Sequence, residues 1–145
     1  MHIYEVTQLS IELLDSFSKL LPQLSPTVKI PTNNYIKTLF DNENTHLLVA
    51  EAEGEIIGML TLAVVDIPTG RKAWIEDVVV DGNSRGIGVG IALVDRAKEL
   101  SASLGAKRIY LTSNPSRKAA HRLYKKCGFE QYDTTLFKID ISSKL

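Results

Sequence analysis

The chain reads as an α/β fold in which a mixed sheet carries helices on both faces, and three features lead there. Short apolar runs of strand type alternate with longer segments whose apolar residues recur at helical spacing. Two such runs, His46 to Ala52 and Ile56 to Val65, are separated only by E-G-E, which marks a hairpin with Gly54 in the turn. A further run, Ala73 to Val80, leads through closely spaced glycines into a long helix, and strand-type runs open and close the chain.

Taken in order, Ile3 to Val6 forms a first strand. A helix follows with Leu13, Phe17, Leu20 and Leu24 on one face, bounded by Pro22 and Pro26. A second helix starts after Thr32 as N-cap, carries Ile36, Leu39 and Phe40 on one face, and ends in D-N-E-N-T. After the hairpin, Asp66 to Lys72, with Pro68 and Gly70, is expected to be a loop. In the strand Ala73 to Val80, alternation assigns Trp74, Glu76 and Val78 to one face and Ile75, Asp77 and Val79 to the other. The long helix spans Gly86 to Leu104, with Leu93, Ala97, Leu100 and Leu104 as its core stripe and Gly105 as its stop. Arg108 to Thr112 is the next strand. The turn S-N-P-S offers Ser116 as N-cap of a last helix whose apolar face is Ala120, Leu123, Tyr124 and Cys127, up to Gly128. Phe129 to Tyr132 and Thr135 to Ile141 are expected to close the fold as a strand pair. With no internal repeat or linker, residues 1–145 read as a single domain.

Composition narrows the functional classes. Seventeen basic residues against 17 acidic ones provide no field favouring nucleic acid or an anionic membrane. The single cysteine, Cys127, cannot form an internal disulfide, the amino terminus M-H-I-Y-E-V lacks a signal-peptide pattern, and no apolar run reaches the roughly 20 residues needed to span a bilayer. The expectation is a cytoplasmic protein. His2, His46 and His121 are too scattered to suggest a metal site.

The segment W-I-E-D-V-V-V-D-G-N-S-R-G-I-G-V-G, Trp74 to Gly90, carries the strongest functional signal. A helix N-terminus presents unpaired N–H groups and a partial positive charge, so glycines there admit an anionic phosphate, and Arg85 adds a full charge. Gly86, Gly88 and Gly90 are all read as opening that approach, because glycine otherwise weakens a helix by about 1 kcal/mol relative to alanine. The Lys-Ser or Lys-Thr ending of a nucleoside-triphosphate loop is missing, and the spacing is not that of the dinucleotide fingerprint.

Together with the downstream A-A-H-R-L-Y-K-K-C-G-F, this segment resembles the GCN5-related N-acetyltransferase (GNAT) family, which uses acetyl-coenzyme A. Arg85, Gly88 and Gly90 fill the places of that family's phosphate turn, and L-Y-K-K-C-G-F matches its L-Y-x-x-x-G-F. The motifs extend over roughly Trp74 to Phe137, while the first half agrees in element order only. The resemblance implies a mostly antiparallel sheet in which the strands Trp74–Val80 and Arg108–Thr112 are parallel neighbours that splay apart. It further implies that the pantetheine arm of acetyl-CoA pairs with the backbone of Val78, Val79 and Val80, and that the turn Arg85, Gly86, Ile87, Gly88, Val89, Gly90 holds the phosphates.

Moving an acetyl group to an amine requires a base, a site for negative charge and a proton donor. Glu76 is the first candidate base, with Asp77 second; alternatively Glu76 is solvated or paired with Arg71 or Lys72. A backbone N–H of Val79 or Val80 is the candidate for the oxyanion. Tyr124 is a core-packing residue on composition alone, but the resemblance implies a phenol at the coenzyme sulfur, acting as acid. The family often has Asn seven residues before that tyrosine, where this chain has Arg117. Asn114 is therefore a displaced candidate for the arm, and Arg117 a candidate phosphate ligand. Cys127, at a helix C-terminus, reads as packing rather than nucleophile.

The leading expectation is an N-acetyltransferase acting on a small-molecule amine or peptide amino group by direct attack in a ternary complex. The alternative is a non-catalytic acyl-CoA-binding sensor or regulatory module. Edge strands at the final hairpin leave room for a homodimer.

Overall fold

The computed structural model describes residues 1–141. Its elements are β1 (His2–Val6), α1 (Ile11–Leu24), α2 (Asn33–Asp41), β2 (Thr45–Ala52), β3 (Glu55–Ile67), β4 (Gly70–Val80), a single 3-10 turn Gly82–Ser84, α3 (Val89–Ser103), β5 (Ile109–Tyr110) and α4 (Lys118–Lys126). Sheet order is β1-β2-β3-β4-β5, antiparallel at every pairing except the parallel β4–β5. The expected mixed, mostly antiparallel sheet is therefore present. One face packs Leu48, Leu60, Leu62 and Ile75 against α3 and α4 through Leu93, Val94, Ala97 and Tyr124. The other packs Leu47, Val49, Met59 and Val79 against Leu13, Phe17 and Leu20 of α1 and Ile36 of α2. Among the described residues, no helix is long and apolar enough to cross a membrane.

Local chemistry sets these elements. Ser10 and Thr32 cap α1 and α2, their hydroxyls accepting from Leu13 N at 3.1 Å and Tyr35 N at 3.2 Å. Glu53 and Gly54 form the two-residue turn joining β2 to β3, both at positive φ (52° and 76°), as a hairpin with right-handed strand twist favours. Gly58 on β3 lets α3 lie close to the sheet. A Cβ there would stand 2.9 Å from Val89 Cγ1 and 3.2 Å from Leu93 Cδ1.

Several elements depart from the sequence reading. Pro22 lies inside the last turn of α1, which continues because Leu20 and Leu21 are buried and Ser25 N bonds Leu21 O at 3.3 Å. Asp66 to Lys72 is mostly strand rather than loop, since β3 and β4 extend to Ile67 and from Gly70. Arg71 grips its cross-strand partner Asp66 through Nε–Oδ1 at 2.7 Å and Nη2–Oδ2 at 3.0 Å, which favours pairing to the hairpin tip. Helix α3 starts at Val89 instead of Gly86, because Gly86 and Gly88 take φ of 81° and 86°, outside right-handed helix.

β5 is reduced to two residues. Ser116 does not cap α4: its hydroxyl and N–H both donate to Asn114 Oδ1, at 2.8 and 2.9 Å, and Arg117 takes the N-cap position without a side-chain bond. The closing strand pair does not form. Phe129 to Ile141 contains no strand, and Phe137, Ile139 and Ile141 are more than four-fifths exposed. The physical reason is the neighbouring edge: β5 offers only two residues to extend the sheet. The final hairpin, whose edge strands left room for a homodimer, is thus not present among the described residues.

Candidate active site

The site begins with an irregularity in β4. Thr61 pairs with Glu76 and Met59 with Val79, so Asp77 and Val78 together face Leu60 alone. This is a β-bulge, and Asp77 at its centre has a positive φ of 51°. The extra residue reverses the alternation. Ala73 and Ile75 belong to the α3–α4 core before it, whereas Val78 and Val80 do so after it and Val79 turns to the α1–α2 side. Sequence alternation had placed Val78 with Glu76; the bulge moves it to the face of Ile75, and Glu76 and Asp77, both exposed, run with Ile75 and Val78 along one cleft.

That cleft, of ≈ 320 Å³, lies where β4 and β5 part. The two strands pair only at Ala73–Ile109 and Trp74–Tyr110, leaving β4 from Ile75 onward without a strand partner on that side. Ile75 to Val78 form one wall; Leu24, Ser25 and Val28, at and beyond the end of α1, form a second; Leu111, Thr112, Arg117 and Tyr124 form the third. The structure thus brings together Glu76, Val78, Arg117 and Tyr124. Val79 is buried against α1 and α2, while Val80 packs toward α3. Asn114 does not line the cleft: its side chain is engaged by Ser116, and its carbonyl lies 3.0 Å from His121 Nε2. A contribution of the first two helices to the acceptor side was an expectation, but no sequence signal singled out Leu24, Ser25 or Val28.

Burial pushes the Tyr124 phenol above its ordinary value, partly opposed by the nearby Arg117 charge and aided by Cys127. The residue is 8% exposed, and its ring meets Phe129 edge-on at 6.0 Å. Partial desolvation raises the Glu76 carboxyl, and the neighbouring Asp77 charge raises it further. Glu76 is paired with neither of the cations considered for it. Arg71 holds Asp66 and the Leu104 carbonyl (2.8 Å), and the Lys72 ammonium sits over Trp74 and Tyr110 at 5.8 and 5.5 Å. Cys127 is buried, with its thiol pushed up chiefly by desolvation and then by Asp95, as suits a packing residue.

Beyond β4 the chain enters the glycine turn through a clasp that the sequence did not reveal. Asp81, only 5% exposed, receives Lys19 Nζ at 3.0 Å and Gln23 Nε2 at 3.1 Å, and Gly82 N donates to Gln23 Oε1 at 2.9 Å. The Gln23 amide, followed by Lys19, holds the Asp81 carboxyl below the usual range. These partners lie 58 to 62 residues apart in sequence, which is why spacing gave no signal.

The turn itself separates its glycines by purpose. Gly86 and Gly88 are exposed, and a Cβ on either would meet nothing within 4 Å, so both serve the left-handed backbone and leave the space above them open. Gly88 is the N-cap of α3 and supplies no side-chain bond, leaving first-turn N–H groups available to an anion. Arg85 and Ile87 stand exposed beside it. Val89 is instead core, and Gly90 is a packing residue: a Cβ there would lie 2.6 Å from Leu123 Cδ1. An uncapped helix start, open space over two glycines and a flanking exposed guanidinium fit the anionic end of a coenzyme.

Among curated relatives, an uncharacterized N-acetyltransferase of Methanocaldococcus jannaschii is 29% identical over 67% of this chain and 44% of its own length. An aminoalkylphosphonate N-acetyltransferase of Salmonella typhimurium is 32% identical over 61% of this chain and 58% of its own length. The chain thus aligns with about half the length of these two relatives. In fold, an aminoglycoside acetyltransferase from an uncultured soil metagenomic sample superposes with a TM-score of 0.83 at 20% identity, over 97% of this chain and 96% of that one. The acetyltransferase (GNAT) family's sequence model matches residues 9–129, taking in the clasp, the bulged strand, the glycine turn and the helix of Tyr124, and the chain therefore belongs to the GNAT family.

Proposed function

We propose that residues 1–145 act as one domain that transfers an acetyl group from acetyl-CoA to a primary amine, by direct attack in a ternary complex. The observation that carries this reading is the convergence of Glu76 and Tyr124 on one cleft at the parting of β4 and β5, with the anion turn following β4 directly. When bound, acetyl-CoA supplies the activated acetyl thioester. Arg85 and the first-turn N–H groups of α3 hold its anionic end, and the unpaired side of Val78 to Val80 is free to bond a peptide-like arm. Arg117, on the third wall with Tyr124 rather than at the glycine turn, would add a further guanidinium to the bound coenzyme.

Glu76, with its affinity for protons raised by its surroundings, takes the proton of the incoming ammonium, directly or through water. A main-chain N–H of Val79 or Val80 stabilises negative charge without reorganising. Tyr124, a phenol that is protonated at neutral pH already at its ordinary value near 10 and more so with burial raising it, can give its proton to a departing thiolate.

Tyr124→Phe tests the reading most directly. No hydrogen bond of the phenol is present among the described residues, so the variant keeps ring packing and coenzyme affinity, and single-turnover thiol release falls by about ten-fold or more. A wild-type rate in the variant removes Tyr124 as the acid. Tight coenzyme binding with no thiol release from any amine, amino acid, aminoglycoside or peptide amino terminus favours a binding module over an enzyme.

A further inference from the structure

Residues 132–141 carry Tyr132, Leu136, Phe137, Ile139 and Ile141, each between 69% and 88% exposed. At roughly 150–200 Å² for each such side chain they expose on the order of 600–800 Å² together, more than a monomeric soluble protein usually leaves as one apolar patch. The segment has a strand pattern. Phe137, Ile139 and Ile141 alternate with Lys138 and Asp140, and the Lys138 ammonium lies 3.5 Å from the Asp140 carboxylate, as neighbours on one side of an extended chain can. The chain's own sheet does not take it up. Tyr132 still meets Tyr110 of β5, with ring centroids 6.2 Å apart, but β5 is only two residues long. Among the described residues, 133–141 make no hydrogen bond with the rest of the chain and no ion pair other than Lys138–Asp140.

A second copy of the same segment is complementary to it. When two such strands pair antiparallel about a two-fold axis at Ile139, Ile139 faces its own copy, Phe137 faces Ile141, and Lys138 faces Asp140, the last two pairs each occurring twice. Aromatic–β-branched and opposite-charge pairs are those that stabilise neighbouring strands. The same charges fix the register: with the axis one residue away, Lys138 would face Lys138 or Asp140 would face Asp140. We infer that residues 132–141 are an arm through which two copies of this chain associate, by an antiparallel pair centred on Ile139. A two-stranded ribbon alone is marginally stable, so its apolar face closes against the two bodies. The exposed area is comparable with the ~800 Å² per partner of a standard specific interface. The inference does not depend on the acetyltransferase reading.

Analytical ultracentrifugation of the full chain is the test, because it reads mass without regard to activity. The wild type should be dimeric at about 100 µM, a weak requirement for an interface of this size. Ile139→Lys sets two like charges against each other at the axis and should give a folded monomer. Lys138→Asp and Asp140→Lys each place like charges opposite one another in a homodimer, and each should weaken self-association by about five-fold or more. Mixed one to one, these two variants should form a heterodimer in which both cross-strand pairs are again opposite in charge. Only contact between copies responds to mixing; a segment folded back on its own chain does not. A monomeric wild type at that concentration, a dimer unchanged by Ile139→Lys, or a mixture no more associated than its separate components overturns the inference. Should Ile139→Lys fail to fold, the two charge variants, both at exposed positions, decide the matter.

Discussion

Gly88→Ala and Gly90→Ala are the same chemical change two residues apart, and the structure requires them to fail for different reasons. At position 88 the added methyl meets nothing, but φ of 86° is left-handed, which costs an L-residue about 1–2 kcal/mol. For a chain of this length that is a fall in Tm of roughly 3–8 °C. Relaxation of that strain would also turn the first N–H groups of α3. Loss of one charge-assisted hydrogen bond, at about 1.5–3 kcal/mol, would weaken coenzyme binding by roughly ten- to a hundred-fold.

At position 90 the backbone is helical, so alanine gains about 1 kcal/mol of helix propensity. Its methyl, however, lands 2.6 Å from Leu123 Cδ1, well inside ordinary contact, and overpacking typically costs about 1–3 kcal/mol. The net loss of about 0–2 kcal/mol falls on stability and on the seating of α4, where Leu123 precedes Tyr124. Coenzyme affinity should change by less than about three-fold, while turnover drops. Thermal melts paired with coenzyme A calorimetry separate the two. Strong loss of affinity in Gly90→Ala, with unchanged affinity in Gly88→Ala, would refute the division of labour within the turn.

Other expectations follow from the same geometry. Glu76→Gln should lower turnover, with partial recovery toward about pH 9, where more amine is already neutral; equal pH profiles with chemistry limiting the rate would reduce Glu76 to a solvated carboxylate. Because the folded-state pKa of Glu76 is raised, its relative stabilisation is full below the unfolded value and lost as pH rises through the folded one. The Gln variant should therefore match or exceed wild-type stability at neutral pH and lose that advantage in acid, as read from urea midpoints. Asp81 has the opposite sign: its lowered pKa gives stability that is present above the ordinary aspartate value of about 3.9 and lost as pH falls through the folded one. Asp81→Asn should lower the urea midpoint near neutrality but converge on wild type in strong acid. Gln23→Leu, which removes both bonds to the entrance of the turn, should weaken coenzyme A binding measured by calorimetry; unchanged affinity would make the clasp a fold element only.

Local and periodic features were determined by the sequence itself. The cap at Thr32 and the turn at Gly54 depend on residues a few positions apart, and so do the stripe Leu93–Ala97 and the strand–glycine–helix passage. Tyr124 was legible as core from its helix face, and as a site residue through the family motif around it. Tertiary structure decided what depends on distant partners. Pairing with β3 fixed the bulge at Asp77, and with it the face on which Val78 lies. The closeness of Leu123 made Gly90 a packing residue, while open space left Gly86 and Gly88 to backbone conformation. Gln23 and Lys19 reach Asp81 only because α1 lies across the end of β4, and Leu24 and Val28 become a cleft wall for the same reason. Hydrogen bonds within a turn are written in neighbouring residues, but register, close approach and charge pairing between elements arise only when the sheet assembles.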